Sequence, residues 1–382
     1  MKKGWQKHRL TAIALKITDG SHNPPKGVAE SDYLMLSSKN VFNDDLHYAD
    51  PRYLTADQYQ QEDKRTGVVP NDVLLTIVGT IGRSAVVPMD APKITLQRSV
   101  AVIRPNRLFV EPRFLMYSFI ERCSELNEQA RGVAQKGIYL ESLRDLDLML
   151  PPLAEQQRIV SILDEAFEKI ATAKANAEKN LQNAHALFDS HLNDVFTKRG
   201  KGWVETTIDK ISTNLDSMRV PITKNVRSSG KYPYYGASGI VDYVSDYIFD
   251  GDTLLISEDG ANLLARSTPI AFSVSGKYWV NNHAHILKFE NMATQRFVEF
   301  YLASIRLDEY ITGAAQPKLN QKALNSILIP IPKAVDVQAT IVKSFESLQE
   351  NTQRLEAIYR QKLAALEALK KSLLDQAFSG GL

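Results

Sequence analysis

Leu150-Pro151-Pro152-Leu153-Ala154-Glu155-Gln156-Gln157-Arg158-Ile159 divides this chain of 382 residues. The two prolines close whatever precedes them, because proline cannot continue an element, but proline is tolerated where a helix begins. From Ile159 apolar or small residues return at every seventh position. One series is 159, 166, 173 and 187, broken at Asn180; the other is 163, 170, 177 and 184, broken at His191. A seven-residue repeat over this length predicts a coiled-coil helix. The same events recur after Ile329-Pro330-Ile331-Pro332. There the series are Ile341, Leu348, Leu355, Leu369 and Phe345, Tyr359, Leu366, Leu373, broken at Lys362 and Thr352. One seam is alanine-rich and the other is leucine- and aromatic-rich. Small opposite large lets two helices approach closely, so they are expected to pair.

Working outward, the two halves match each other. Lys3-Gly4-Trp5 recurs as Lys201-Gly202-Trp203, and Asn71-Asp72-Val73-Leu74-Leu75 as Gly251-Asp252-Thr253-Leu254-Leu255. Gly132-Val133-Ala134-Gln135, with Ile138, recurs as Gly313-Ala314-Ala315-Gln316, with Leu319. Leu150-Pro151-Pro152 with Gln157 recurs as Ile331-Pro332 with Gln338, and Phe196 matches Phe378. This is a duplication. It predicts a globular part over 1–152, a helix over 153–200, a second globular part over 201–332 and a second helix over 333–382.

Each globular part is rich in short apolar, β-branched runs bounded by turn residues: Val73 to Val78, Ala85 to Val87, Ser99 to Ile103, Thr253 to Ser257 and Ile270 to Val274. Arg113–Gln129 and Gln295–Glu309 each read as one amphipathic helix. The first long helix delivers the chain to the second globular part, and the second helix starts where that part ends. Because domain termini tend to lie close together, the second helix should run back along the first. A parallel pair would oblige the chain to retrace about 60 Å, at 1.5 Å per residue. The predicted fold is therefore α+β: two β-rich globular domains separated by two long antiparallel coiled-coil helices, with pseudo-two-fold symmetry.

Apolar residues make up 44% and charged residues 24%, as in soluble globular proteins. No run approaches the roughly 18 apolar residues of a membrane span. Met1-Lys2-Lys3-Gly4-Trp5 lacks the apolar run of a signal peptide. One cysteine, Cys123, excludes an internal disulfide and an all-thiolate metal site, so a reducing cytoplasm is expected. Net charge is only +2, with 20 basic against 18 acidic residues in 1–152 and 13 against 13 in 201–332. Phosphate neutralisation supplies most non-specific affinity for DNA. A chain this balanced that works on DNA needs a partner to bring positive surface.

Four stretches invite a chemical reading. His22-Asn23-Pro24-Pro25-Lys26 is reminiscent of the Asn/Asp-Pro-Pro-aromatic turn of amino-methyltransferases, but Lys26 replaces the aromatic and no glycine-rich cofactor turn precedes it. A proline-stiffened loop is the alternative. Gly79-Thr80-Ile81-Gly82-Arg83 lacks the ending of a phosphate loop. It reads either as a glycine turn or as a turn that projects Arg83 towards a DNA groove, with Asp259 to Arg266 at the equivalent place. Asn281-Asn282-His283-Ala284-His285 carries two histidines that would share one face of a strand, but nothing completes a metal site; hydrogen bonding at a strand end, or DNA contact by Asn282 or His283, is the other reading. Tyr232-Pro233-Tyr234-Tyr235-Gly236-Ala237-Ser238-Gly239, next to Arg227 and Lys231, suits either nucleic-acid contact or a tyrosine-rich β core. No Ser-His-Asp set, carboxylate pair or nuclease cluster stands out, so no catalytic residue is expected.

The order globular, helix, globular, helix resembles the specificity subunit of type I restriction-modification systems over nearly the whole chain. The residues that carry the likeness are Leu150 to Ile159; Tyr234 to Ile240; Asn281 to His285; Gly313 to Leu319 leading into Ile329 to Pro332; and Asp19-Gly20-Ser21-His22 with Pro24-Pro25. Val335-Asp336-Val337-Gln338 departs from the Glu-Gln opening usual in that family. The resemblance implies that each globular part is a target-recognition domain for one half of a split double-stranded DNA site. It implies that the helices set the gap and dock two methyltransferase subunits, which carry S-adenosylmethionine and methylate adenine. Where a restriction subunit is present it adds ATP- and Mg-dependent cleavage. The chain itself is expected to be non-catalytic and to hold no cofactor or metal. Arginine favours guanine, and asparagine adenine. The expected DNA contacts are accordingly His22, Lys26, Lys39, Asn40, Arg65, Arg83 and Arg98 in the first domain. In the second they are Arg227, Lys231, Tyr234, Tyr235, Ser238, Asn262, Arg266, Lys277, Asn282 and His283. The reading set against this one is a coiled-coil interaction scaffold without DNA specificity; a fused methyltransferase is a further alternative.

Overall fold

The computed structural model describes residues 4–131, 136–313 and 315–382. The repeat segment Gly132-Val133-Ala134-Gln135, Ala314 of its second copy, and Met1 to Lys3 lie outside the described residues. The chain forms two compact units, Met1–Asn176 with Lys362–Leu382, and Ala177–Gln361.

In the first unit the strand Gln6–Arg9 pairs antiparallel with Asp147–Leu150, the strand that leads into the long helix. A four-stranded antiparallel sheet follows in the order Ala14–Asp19, Val100–Pro105, Val73–Thr76, Ser84–Val86. A smaller sheet sets Tyr33–Leu36 between Arg52–Leu54 and a parallel neighbour, Lys93–Leu96. The central strands are apolar on both faces over Val73 to Leu75 and Val100 to Ile103, because both faces are covered there. Val73, Leu75, Ala101 and Ile103 enter one core, and Leu74, Val100 and Val102 enter another.

The second unit repeats this plan. Trp203–Thr207 pairs with Leu328–Pro332. The four-stranded sheet runs Ser212–Asn214, Ala284–Phe289, Thr253–Ser257, Ala271–Val274. The smaller sheet again holds a parallel pair, Ser229–Gly236 beside Lys277–Val280. Leu254 and Ile256 face one core and Leu255 the other. Parallel pairing was not foreseen, because partners so far apart in sequence leave no local signal.

The two amphipathic helices are each shorter than predicted. The first is Pro112–Glu121, started by a proline and the Glu111 cap; it stops at Arg122 (ψ 12), and Cys123–Gln129 is a separate helix. The second is Met292–Ser304. Arg266 ends it, donating from its two terminal nitrogens to the carbonyls of Leu302 at 3.1 Å and Ile305 at 2.9 Å, where the helix dipole favours a cation.

The long helices are Leu153–Thr197 and Val335–Ser379, each 45 residues. They run antiparallel inside each unit. In the first, Arg158 bonds the Leu382 carbonyl, Lys370 lies over the Phe167 ring, and Lys174 pairs with Glu367. In the second, His185 pairs with Glu356, and His191 meets Ser344 and Phe345. Their ends are part of the domain cores: Phe196 packs on Phe297 and Phe345, with centroids 5.4 and 5.6 Å apart. Each such pair adds about 0.5–1.5 kcal/mol beyond area burial.

One seam series holds and one does not. Leu163, Ile170, Ala177 and Ala184 are buried, but Leu187 is 58% exposed and Phe188 packs into the core instead. Likewise Leu355 and Leu369 are exposed, while Thr352, predicted as a break, is buried. A stripe of period seven drifts about 20° per heptad on a straight α-helix, so after four heptads the next residue has taken its place.

Each unit also ties its shorter helix to a long one. Arg113 Nε donates to Asp164 at 3.1 Å, and Arg296 Nε to Glu346 at 3.0 Å. Tyr117 joins the first tie, donating to Asp164 at 2.6 Å. Burial, then the bond to Asp164, push its hydroxyl well above the phenol range.

Candidate nucleic-acid interface

One end of each four-stranded sheet carries the same backbone frame. In the first unit Ile77 N–H donates to the Ser99 carbonyl at 2.9 Å, and Ile138 N–H to the Ile77 carbonyl at 2.8 Å. Isolated bridges join Val78 to Gly137 and Arg131 to Gly137. In the second, Glu258 N–H donates to the His283 carbonyl at 2.9 Å and Leu319 N–H to the Glu258 carbonyl at 2.8 Å. Bridges join Asp259 to Lys318 and Thr312 to Lys318. Ile77 therefore corresponds to Glu258, Val78 to Asp259, Ser99 to His283, and Arg131 to Thr312. The backbone is common, and the chemistry on it is not.

On the first frame lies a cleft of about 410 Å³, with Ile77, Val78, Ile138 and Leu140 as its apolar side and Asp19, His22, Arg65, Arg98, Arg131 and Tyr139 as its polar side. Asp19 is buried at the end of its strand. Arg65 holds it through Nε on its carbonyl, at 2.9 Å, and through the carboxylate; His22 Nε2 lies 2.7 Å from the other carboxylate oxygen. Burial pushes the Asp19 carboxyl up, but the bonds and charges of Arg65 and His22 outweigh it, leaving the pKa below the usual aspartate value.

On the second frame the equivalent positions carry ion-paired side chains. His285 is buried, with Nδ1 2.6 Å from Asp216 and Nε2 2.7 Å from the Leu319 carbonyl. Both neighbours are acceptors, so both bonds form only when both ring nitrogens carry protons. Arg219 donates to Glu258 at 2.6 Å, and Lys318 lies 3.1 Å from that carboxylate. Asp216, Glu258 and His285 are near enough to ligate a cation, but Arg219 and Lys318 already neutralise the two carboxylates.

A family model described as the type I restriction modification DNA specificity domain matches residues 27–182 and again residues 200–367. The chain belongs to that family. This specificity chain is 36% identical over 141 residues to a protein of Haemophilus influenzae named as a type I restriction enzyme specificity subunit, a match covering 37% of this chain and 36% of the relative. It is 32% identical over 142 residues to the EcoBI specificity subunit of Escherichia coli, covering 36% of this chain and 29% of that one. Both matches thus span about a third of the relative's length. Among solved structures it is similar to a chain from a type I restriction-modification system described for its complex assembly and conformational transition (TM-score 0.77, 18% identity, 100% and 99% of the two chains covered). It is also similar to the HsdS subunit of Thermoanaerobacter tengcongensis (TM-score 0.61, 18% identity, 100% and 98% covered). At those identities the likeness shows the fold. None of the described helices is long and apolar enough to cross a membrane.

Of the predicted contacts, the specificity chain gathers His22, Arg65 and Arg98 in the first cleft. Lys26 is exposed on its loop. Lys39 is exposed and paired with Asp50, and Arg83 lies over the Phe42 ring at 5.0 Å. In the second unit Ser238, Asn282 and His283 are exposed, and His283 lies 2.9 Å from Asp259. Lys231 and Lys277 lie over the rings of Tyr232 and Tyr247.

Several expectations are corrected. Asn40 is 1% exposed; it accepts from Ser37 N–H and donates to the carbonyls of His47 and Ala49, so its amide builds a turn and reaches no ligand. Tyr234 is fully buried, with Arg227 stacked on it at 4.4 Å and its hydroxyl accepting from Ile222 N–H. Arg227 itself is spent on Asp242 and the Ile222 carbonyl, and Tyr235 is half-buried against Phe272 and Tyr278. The tyrosine-rich stretch is therefore mainly β core. Asn262 closes its own loop with Ser267 and Thr268, and Arg266 caps a helix. His283 precedes the strand on which His285 lies, so the two have different partners and form no joint site. Two cleft residues, Arg131 and Tyr139, escaped sequence reading. Their one signal was position: they flank the duplicated Gly132 to Ile138 segment.

A larger cleft, about 670 Å³, lies in the second unit at the start of the second long helix and is lined by Lys210, Lys288, Lys333, Asp209 and Glu290 among others. Its charges are mixed, and it sits apart from the frame just described.

Proposed function

We propose that this chain is the DNA-reading subunit of a type I restriction-modification complex, with each unit reading one half of a bipartite double-stranded site. The observation that carries this is the shared backbone frame bearing different side chains. Two readers of common design and unlike chemistry suit two unlike half-sites. The long helices would fix the gap between the half-sites and dock two methyltransferase subunits. Those subunits would supply S-adenosylmethionine and the adenine-methylating chemistry, with ATP and Mg entering through restriction subunits where these are present. The chain would hold no cofactor and catalyse nothing itself. His22, Lys26, Lys39, Arg65, Arg83 and Arg98, and Lys231, Ser238, Lys277, Asn282 and His283, are the predicted contacts that keep an accessible side chain. Because net charge is only +2, binding by the lone chain should be weak and salt-sensitive.

The test is whole-genome mapping of modified adenine with and without this gene, in cells holding the partner methyltransferase. A two-part motif that vanishes with the gene is expected. Lengthening both long helices by matched heptads should widen the unread gap and keep both half-sites. Methylation that ignores this gene overturns the reading, and half-sites that change while the gap stays fixed overturn the role given to the helices.

A further inference from the structure

We infer that Arg98 and Arg131 read a guanine in the half-site of the first unit. The inference rests on the function just proposed and adds to it the residues and the base.

Both arginines line one cleft. Their main chains are fixed. Arg98 N–H donates to the Ser21 carbonyl at 2.9 Å, and Arg131 and Gly137 exchange two backbone bonds of 3.0 and 2.9 Å. Both residues are exposed. Among the described residues neither side chain has a carboxylate within ion-pairing distance, whereas Arg65 in the same cleft is committed to Asp19. Two forks on anchored backbone with unspent donors are preorganised for a planar acceptor pair.

A phosphate and the major-groove edge of guanine both offer such a pair. The cleft favours the base. Its floor is apolar, which suits base edges and a thymine methyl better than a hydrated phosphate. Its one carboxylate, Asp19, is already paired with Arg65 and His22, so the donors left to meet a base edge are those of Arg98 and Arg131. Tyr139, 63% exposed, adds an aromatic wall.

The second unit supports the assignment by contrast. Thr312 stands in the place of Arg131, and Glu258 and Asp259 stand in those of Ile77 and Val78. Asn282 precedes His283 as Arg98 precedes Ser99. The second frame therefore presents no arginine pair, and a guanine read in this manner is confined to one half-site.

The experiment uses the full chain with its methyltransferase partner and the variants Arg98→Lys, Arg131→Lys and the double substitution. Lysine keeps the charge and loses the fork. Modified-adenine mapping should show one half-site relaxed at one or two guanine positions, with discrimination down about tenfold or more, while the other half-site and the gap stay as they were. In vitro, 7-deazaguanine at those positions should weaken binding of the parent complex by about tenfold and leave the double variant unaffected. An unchanged motif overturns the inference. So does methylation that falls equally at every site, which is the mark of phosphate anchoring or of lost folding; retained reading of the other half-site and an unaltered melting temperature separate those two causes. If the parent chain confers no two-part motif, the broader reading fails instead.

Discussion

The side-chain amide of Gln338 donates to the carbonyl of Pro332 at 2.7 Å, across the point where the second globular part gives way to the long helix. Gln156 does the same in the first half, donating to Pro151 at 2.9 Å. Each buried amide holds the first turn of its helix against the strand before it. Gln156 also donates to the Phe109 carbonyl and accepts from Glu111 N–H; Gln338 accepts from the Thr294 hydroxyl. The counterpart of Gln338 is thus Gln156. Gln157, its expected match, is exposed.

Gln156→Leu would leave the buried Pro151 carbonyl and the half-buried Glu111 N–H without that partner, at about 1–3 kcal/mol for a fully buried group. The expected result is a clear fall in the urea midpoint, with Gln157→Leu within about 0.5 kcal/mol of the parent. Equal effects of the two would refute the structural match.

The drift of the helix seam gives a second comparison. In the isolated chain Leu187→Ser should change stability by less than about 0.5 kcal/mol, since Leu187 lies off the interface. Ala184→Leu, on the interface, should cost about 1–3 kcal/mol through overpacking. Thermal melts of both decide it, and a larger loss for Leu187→Ser than for Ala184→Leu would mean that position 187 lies on the seam after all.

Gly20 leaves no room for a side chain: a Cβ there would overlap the main-chain carbonyls of Leu96 and Gln97. Backbone cannot give way cheaply, and the adjoining Ser21 N–H bond to Leu96 is 2.8 Å long. Gly20→Ala should therefore destabilise the first unit by at least about 2 kcal/mol and disturb the Asp19, His22 and Arg65 cluster. Hydrogen exchange of the first unit would detect it; unchanged protection there would show that the close approach is not real.

Burial raises the Asp216 carboxyl, but the His285 hydrogen bond and charge, the Ile286 N–H and Arg219 lower it by more. In Glu258, burial is likewise outweighed by Arg219, His285 and Lys318. Both folded values lie below the unfolded ones of about 3.9 and 4.3. Their contribution is thus fully present above those values and is lost as pH falls through the depressed folded ones. Melting temperature of the second unit should be insensitive to these groups from about pH 7 to 5 and drop below about pH 4. Asp216→Asn should lower it at neutral pH and flatten the acid limb. An acid limb as steep in the variant as in the parent would remove Asp216 from the account.

Much of this molecule was local information. Proline pairs, heptad series and the repeated apolar runs lie along the chain, and each marks its element by a spacing that backbone geometry imposes. The duplication was visible because both copies bury the same strands and must keep the same apolar residues. The reading end was less legible. Arg83, Arg98, Arg227 and Arg266 look alike in sequence, but one covers a ring, one is left open, one is spent on Asp242 and one caps a helix. Which fate befalls an arginine depends on the acceptors that the fold brings within 3 Å or so, and those come from distant segments.

By itself, then, the sequence determined two β-rich units, two long antiparallel helices and membership of a DNA-specificity family, because periodicity and repetition are one-dimensional properties. Only the tertiary structure decided that Gln156, not Gln157, secures the first helix, that Asn40 and Tyr234 are interior, and that Arg98 and Arg131 line one cleft with a buried Asp19. Burial and hydrogen-bond partnership are relations between residues far apart in the chain, and no spacing along it encodes them.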